Sequence, residues 1–579
     1  MPVLVTPTKK RPSKRASRAR SICQHKAASV VCGSIPDMKR IIRSLQPQRS
    51  PYSDMTAASH DPGQTALPEI ASLQAHAARL QALALRDLLR DDPDRSTRLS
   101  LDAGPIHADF ARQRIDTAVL RDLENWALRS GFATSRDDLF AGRIVNPTEE
   151  RPALHTVLRG VGGDPQLAAA VALERRRMAE LAGRLRSGDL RGFRGMPITT
   201  LVCVGIGGSD LGPRLVCDAL TVTDDFDVRF VANVDPDDLE RELRGLDVAT
   251  TAFAVISKTF TTRETLANAA AARAWLAAGG CPQSSLAGQF IGITAAPEAA
   301  RRWGISDTLM LTFREGVGGR YSLWSSVGFG VAVACGVETF DALLDGAAQI
   351  DRHFRDMPLS DNLPARIGLI SVWNRSFLGL PSQAVVPYAE RLRLLPAWLQ
   401  QLVMESNGKS AALAGGEVLL KTSPVIWGTS GTNAQHSYFQ QLHQGPDIVP
   451  VDFIVARRSR ANALSADDDR HRILVANCLA QSAALAVGKA SDDPHRFFPG
   501  NRPSSMLIIA QLDAQALGAL LACYEHATFT AAVVLGINPF DQFGVELGKV
   551  LAGEVESLLA GGTGAGLDPT THALADRLR

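Results

Sequence analysis

The spacing of apolar residues changes once along the chain, and the change divides it. From about residue 67 to residue 186, apolar positions recur at three- and four-residue intervals in Ala-, Leu- and Arg-rich stretches such as 70–89 and 167–186, which predicts a helical layer nearly free of strands. At residue 199 short apolar runs take over, at 200–204, 228–232, 252–256, 290–293 and 308–313, with helical patterns between several of them. After a helical stretch at 340–356 a second series follows, at 384–387, 425–427, 451–455 and 506–510. Short apolar runs alternating with helices predict parallel sheets of the doubly wound kind. Gly205-Ile-Gly-Gly208-Ser209-Asp210 and Gly428-Thr-Ser-Gly431-Thr432-Asn433 share the pattern G-x-x-G-[ST]-[DN], each directly after an apolar run. With the repeated order of strands and helices, the echo points to two related α/β domains.

Composition narrows the classes of function. The chain has 579 residues, 45% apolar and 21% charged, a globular balance with room for at least two cores. The longest apolar candidate, 327–337, is broken by Gly328, Gly330 and Gly336 and falls well short of the roughly 18 residues that span a bilayer, which argues against a membrane protein. Of 62 basic and 60 acidic residues, the first 54 positions hold 12 and 2, so the remainder carries a net charge of −8. A mildly acidic body argues against a nucleic-acid surface. Residues 1–54 read as a basic, disordered extension without the apolar core of a secretory signal; an organelle-targeting segment, or sequence upstream of a start at Met38 or Met55, are the competing readings. The eight cysteines show no C-x-x-C pair or zinc spacing, which fits a reducing cytoplasm.

Several windows carry chemistry. The loop Gly205–Asp210 places Asp210 where a dinucleotide fingerprint needs its third glycine, so it suits a small anionic or polyhydroxylated ligand better than a nicotinamide cofactor; a plain turn with Ser209 as helix cap is the alternative. Ser257-Lys258-Thr259-Phe260-Thr261-Thr262 follows an apolar run and opens a helix reaching about Ala278. Four hydroxyls and a lysine at a helix N-terminus suit a phosphate monoester, and a capping role would account for only one or two of them. Arg320, after Gly318-Gly319, offers a planar set of donors to an oxyanion, although an arginine near a turn is more often a surface ion-pair partner. Glu405 lies in an apolar-flanked stretch that ends a helix at Gly408, the setting of a proton-transfer base or of an ordinary last-turn glutamate. His436, with His443 nearby, and the window Asp541–Lys549 add polar groups in apolar surroundings.

Together these motifs resemble the glucose-6-phosphate isomerase family: GIGGSDLGP (205–213), SKTFTTRET (257–265), VGGRYSLWSS (317–326), MESNGKS (404–410), GTNAQHSYFQQLHQG (431–445) and NPFDQFGVELGK (538–549), in that order, with Asn146-Pro-Thr-Glu149 and His155 in the helical layer. The similarity covers about 55–560. Thr429, Ser430 and Ala434 depart from residues common in the family, and residues 1–54 have no counterpart. The resemblance implies two doubly wound parallel-sheet sugar-isomerase domains, at 188–340 and 341–579, the second with C-terminal helices, preceded by a helical region at 55–187. It implies reversible interconversion of glucose 6-phosphate and fructose 6-phosphate through a cis-enediol, without metal or organic cofactor. Ser257, Thr259 and Thr262, with Lys258, would hold the phosphate; His436 and Lys549 would assist ring opening; Glu405 would move the proton; Arg320 would stabilise the enediolate. Gly208, Ser209, Gln401 and Gln542 would line the sugar. It further implies a homodimer in which His436 comes from the neighbouring subunit. A sugar-phosphate-sensing regulator, or a signalling protein on the same fold, is the alternative; the joint presence of Glu405, Arg320, His436 and Lys549 weighs against the regulator.

Overall fold

The computed structural model describes residues 67–221, 226–461, 464–465 and 467–579. The basic extension 1–54 and the alternative starts lie outside these residues.

The amino-terminal layer is helical, with helices at Leu67–Gln81, Leu85–Asp91, Thr117–Arg129, Phe132–Ala141 and Pro165–Arg186. The periodic stretch 70–89 is interrupted because distant groups claim its backbone. Arg114 donates to the carbonyls of Leu80 and Leu83, at 2.7 and 2.8 Å, and the Leu85 N–H donates to Asn501 Oδ1 at 2.9 Å. The layer also contains two hairpins that the helical periodicity does not predict. Strands β1 (Ser100–Ala103) and β2 (Ile106–Asp109) form one, β3 (Ile144–Asn146) and β4 (Arg151–Pro152) the other. Strands of two to four residues are too short to establish a two-residue period in sequence.

The first sheet comprises β5 (Thr200–Val204), β6 (Asp227–Val231), β7 (Thr251–Ile256), β8 (Phe290–Thr294) and β9 (Met310–Thr312), in the order β6-β5-β7-β8-β9, all parallel. Every residue of β5, β7 and β8 is buried, which is why they read as unbroken apolar runs rather than alternating ones. The second sheet comprises β10 (Ser382–Tyr388), β11 (Val425–Trp427), β12 (Val451–Ala456) and β13 (Ser504–Ile509), parallel to one another, with β2 antiparallel against β13 and β1 beyond it: β1-β2-β13-β12-β10-β11.

The order β6-β5-β7-β8 recurs as β11-β10-β12-β13, so the topology is duplicated. The glycine echo does not follow it. Gly205 succeeds β5, an inner strand, whereas Gly428 succeeds β11, an edge strand whose topological equivalent is β6.

Helix Ala514–Leu535 forms the core with helices Val337–Asp356 and Leu363–Val372. By length and composition it could cross a membrane, although polar residues break its apolar run; 94% of its apolar window is buried inside the protein. It carries Glu525 and His526 into a buried ion cluster. Arg159 makes a two-pronged bond to Asp351, at 2.7 and 2.6 Å, and also meets Glu525; His526 Nε2 lies 2.6 Å from Asp351; Trp324 donates to Glu525 at 2.8 Å. Burial pushes Glu525 up to about 7 despite the pull of Arg159. Through Trp324 this cluster anchors the turn Gly319–Trp324, which bears Arg320.

Candidate active site

In a doubly wound sheet, loops at the carboxyl ends of strands diverge where the strand order reverses, and ligands settle in that crevice. The first sheet reverses between β5 and β7, since β6 lies on one side of β5 and β7 on the other. The two loops flanking that point are Gly205–Asp210 and Ser257–Thr262.

In the first loop, Gly207 has φ +61°, and its ideal Cβ would lie 3.1 Å from Gln401 Nε2. A Cβ on Gly208 would lie 1.9 Å from the Gly319 carbonyl oxygen, so only glycine lets this loop meet the turn that carries Arg320. Ser209 closes a short 3₁₀ turn and caps no helix. The Asp210 carboxylate is directed back to Arg214, 2.9 Å away, and burial raises its pKa against that arginine's pull.

The second loop turns at Phe260, a non-glycine residue at φ +52° held by burial against Trp303. The turn gathers the hydroxyls: Ser257 Oγ lies 2.9 Å from Thr262 Oγ1, and Thr259 Oγ1 lies 2.6 Å from Thr261 Oγ1. Thr262 occupies the cap position of helix Arg263–Ala278 yet makes no capping bond, so the loop is not a simple hydroxyl cap. The first N–H groups of a helix have no partner within it and are available to an anion. Lys258 is part-buried, and its pKa is lowered by burial first and then by the neighbouring Arg151. Glu149 and Glu315 act on Lys258 in the opposite direction, and Arg320 lowers its pKa further.

Arg320 is buried, and the protein fixes its guanidinium on three sides. Nε donates to Ser406 Oγ at 2.6 Å, Nη1 to Gln542 Oε1 at 3.0 Å, and Nη2 to the carbonyls of Pro539 and Asp541, the latter at 3.1 Å. Tyr321 supports Ser406, its hydroxyl 3.2 Å from Ser406 Oγ, and stacks on His155 at 4.8 Å between ring centroids. The remaining approach to Nη1 leads to Glu405 Oε2, 3.3 Å away. Helical backbone does end just before Gly408, but Glu405 does not lie in a regular α-helix. The chain passes from α-helix at Leu395–Leu399 into a π-helical turn, Gln400–Glu405, which contains both Gln401 and Glu405. Such turns insert an extra residue and re-aim the side chains that follow.

Geometry thus brings together Gly208, Gln401, Arg320, Glu405 and Gln542, with Ser209, Ser257, Lys258, Thr259 and Thr262 on the adjoining loops. It does not add His436 or Lys549. Both are exposed, and among the described residues neither makes a side-chain hydrogen bond or ion pair. Ser406, Lys409 and the carbonyls of Pro539 and Asp541 join the site without having stood out in the sequence. Ser406 and Lys409 lie inside a recognised motif, but backbone carbonyls leave no signature in residue type. Among the described residues no group of three or more His, Cys, Asp or Glu is placed to hold a metal ion.

The fold and these side chains define a class: α/β proteins of two doubly wound sheets, with a hydroxyl-rich loop beyond a strand end and a carboxylate–guanidinium pair. Within that class, residues 109–575 match the phosphoglucose isomerase family, and the chain belongs to it. It is 45% identical over 525 residues to a glucose-6-phosphate isomerase of Burkholderia pseudomallei (strain 668), covering 87% of this chain and 96% of that protein. A glucose-6-phosphate isomerase of Burkholderia cenocepacia is 45% identical over 537 residues, covering 89% and 98%. Among solved structures, a glucose-6-phosphate isomerase from Chlamydia trachomatis D/UW-3/Cx superimposes with a TM-score of 0.79 at 34% identity, covering 88% of this chain and 98% of that one.

Proposed function

We propose that the chain is an aldose–ketose isomerase that interconverts glucose 6-phosphate and fructose 6-phosphate. The observation that carries this reading is the pairing of Glu405 with the fixed Arg320 guanidinium at 3.3 Å, with Lys258 of the hydroxyl loop near enough to Arg320 to feel its charge.

Moving a carbonyl from C1 to C2 of an open-chain sugar needs one base to carry a proton and one donor to bear the oxyanion. Ser257, Thr259, Thr262 and Lys258 hold the phosphate. His436 and Lys549 assist ring opening. The Glu405 carboxylate takes the proton from C2; the C2–H electrons form the C1–C2 double bond, and the aldehyde π electrons pass to O1. Arg320 faces the developing charge, and protonation at O1 completes the cis-enediol. Loss of the O2 proton and return of the proton from Glu405 to C1 give the ketose. Gly208, Ser209, Gln401 and Gln542 line the sugar.

The protein acts as a homodimer in the cytoplasm on this reading. The dimer is supported by Phe543, Val545, Leu547 and Val550, apolar and 45–68% exposed around Lys549, and the compartment by six free cysteines among the described residues. A coupled assay with fructose 6-phosphate on wild-type protein and on Glu405→Gln tests the assignment. The variant should lose about 10² to 10⁴ in kcat, as deletion of a general base does, and near-normal turnover would sink the role given to Glu405.

A further inference from the structure

Lys409 lies four residues beyond Glu405, and its side chain is 17% exposed. Its Nζ donates to three carbonyls: Glu405 at 2.7 Å, Ser406 at 2.8 Å and Asp541 at 3.1 Å. An ammonium has three N–H donors, so all are used within the protein and none remains for a substrate. The Asp541 carboxylate lies 3.5 Å away and balances the charge.

The three carbonyls belong to the two segments that frame the reacting pair. Glu405 closes the π-helical turn and Ser406 follows it, one residue before helical backbone ends at Asn407, where unpaired carbonyls attract a cation. Asp541 belongs to the loop that holds Arg320 through the carbonyls of Pro539 and Asp541 and through Gln542. The same Asp541 carbonyl therefore accepts from both Lys409 and Arg320. The Asp541 carboxylate is fixed in turn by Thr148 Oγ1 at 2.7 Å and Asn538 Nδ2 at 2.9 Å, and Asn538 reaches Asn146 at 2.8 Å. A continuous polar strut runs from the hairpin at β3 through Asp541 and Lys409 to the backbone of Glu405.

We infer that Lys409 is a positioning residue, an ammonium tripod that fixes the Glu405 carboxylate relative to the Arg320 guanidinium without touching substrate. This deepens the proposed isomerase reading and rests on it. Arginine could not replace the tripod, because its planar donors cannot converge on three carbonyls grouped around one point.

The test is Lys409→Met, which keeps the chain length and removes the donors, assayed beside wild type with glucose 6-phosphate deuterated at C2. A loosened base should lower kcat by about 10- to 100-fold, the scale of a misplaced catalytic group, with KM changed less than about threefold because the phosphate loop is untouched. The share of C2 deuterium delivered to C1, rather than lost to solvent, should fall. A partly misfolded sample would lower kcat but leave that share at the wild-type value, so a kcat loss with an unchanged share overturns the proposal, as does unchanged kcat in folded protein. Should Lys409→Met not fold, Lys409→Arg, which keeps the charge but cannot reach all three carbonyls, is judged by the same two readouts. A wild-type protein that turns over neither sugar phosphate would instead overturn the isomerase reading, and the tripod with it.

Discussion

Arg320 Nη1 and Glu405 Oε2 face each other at 3.3 Å, but the two residues are held very differently. The guanidinium is buried and bound to Ser406, Gln542 and two carbonyls. The carboxylate is part-exposed, on a π-helical turn. One partner is a fixed donor, and the other is held less tightly, as the proton-carrying role proposed for Glu405 requires.

The fixed donor gives the first prediction. In Arg320→Lys the charge survives, but one ammonium cannot reach Ser406, Gln542 and both carbonyls while presenting a donor to the crevice. Losing an oxyanion donor should cost about 10² to 10³ in kcat, with KM for fructose 6-phosphate changed only a few-fold. Steady-state kinetics on protein with wild-type circular dichroism checks this; a loss confined to KM would place Arg320 on the phosphate instead.

The hydroxyl loop should act through binding. Ser257 and Thr262 are bonded to each other, as are Thr259 and Thr261, so Ser257→Ala with Thr259→Ala breaks both pairs. Each charge-assisted bond to a phosphate contributes on the order of 1.5 to 3 kcal/mol, so KM and the inhibition constant for inorganic phosphate should rise together by tenfold or more. If phosphate competes as well as before, the anion binds elsewhere.

Much of this site was legible in the sequence because it rests on strand ends. All nine parallel strands were marked by apolar runs, since buried parallel strands leave contiguous apolar residues, and the loops at the carboxyl ends of β5 and β7 held Gly208 and the hydroxyls, while Glu405 was legible only as part of a motif. What stayed hidden is non-local or made of backbone. The hairpin β1–β2 owes its place to pairing with β13, some 400 residues away. The π-helical turn at Gln400–Glu405 differs from α-helix by one inserted residue, without a signature in residue type. His436 and Lys549 were legible as motif residues, yet nothing in their spacing says which chain's crevice they serve.

A buried carboxyl group in the second sheet makes stability depend on pH. Asp452, on β12, accepts from Gln383 at 2.7 Å and Tyr524 at 3.1 Å. Burial pushes its pKa up to about 6, against hydrogen bonds from Tyr524, Gln383 and Ser505. An unfolded aspartate loses its proton near pH 3.9, so between about pH 4 and 6 the native state holds a proton that the unfolded chain has released. The contribution of Asp452 is thus complete below about pH 4 and is lost as pH rises through about 6, by an amount on the order of 1 to 3 kcal/mol. Asp452→Asn, which keeps an acceptor for both donors, should flatten that part of the profile and be the more stable protein at pH 7. Urea unfolding at pH 4.5 and 7 measures the difference; equal slopes for the two proteins would show that Asp452 is ionised in the native state.

The exposure of His436, with no bond to its own chain's crevice among the described residues, leads to the last prediction. If His436 completes the crevice of a second subunit, two inactive variants should complement each other. Glu405→Gln and His436→Ala are unfolded together in equal amounts and refolded. In a mixed dimer with exchanged histidines, one crevice carries both lesions and the other carries neither. Random pairing makes half of the dimers mixed, and half of their sites are intact, so about a quarter of the wild-type activity should return in a closed two-fold assembly. If His436 serves its own chain, every crevice in the mixed dimer keeps one lesion and no activity returns. Differential tags and tandem purification confirm that mixed dimers have formed, so recovery near zero in that fraction would refute the exchanged histidine and leave the roles of Glu405 and Arg320 standing.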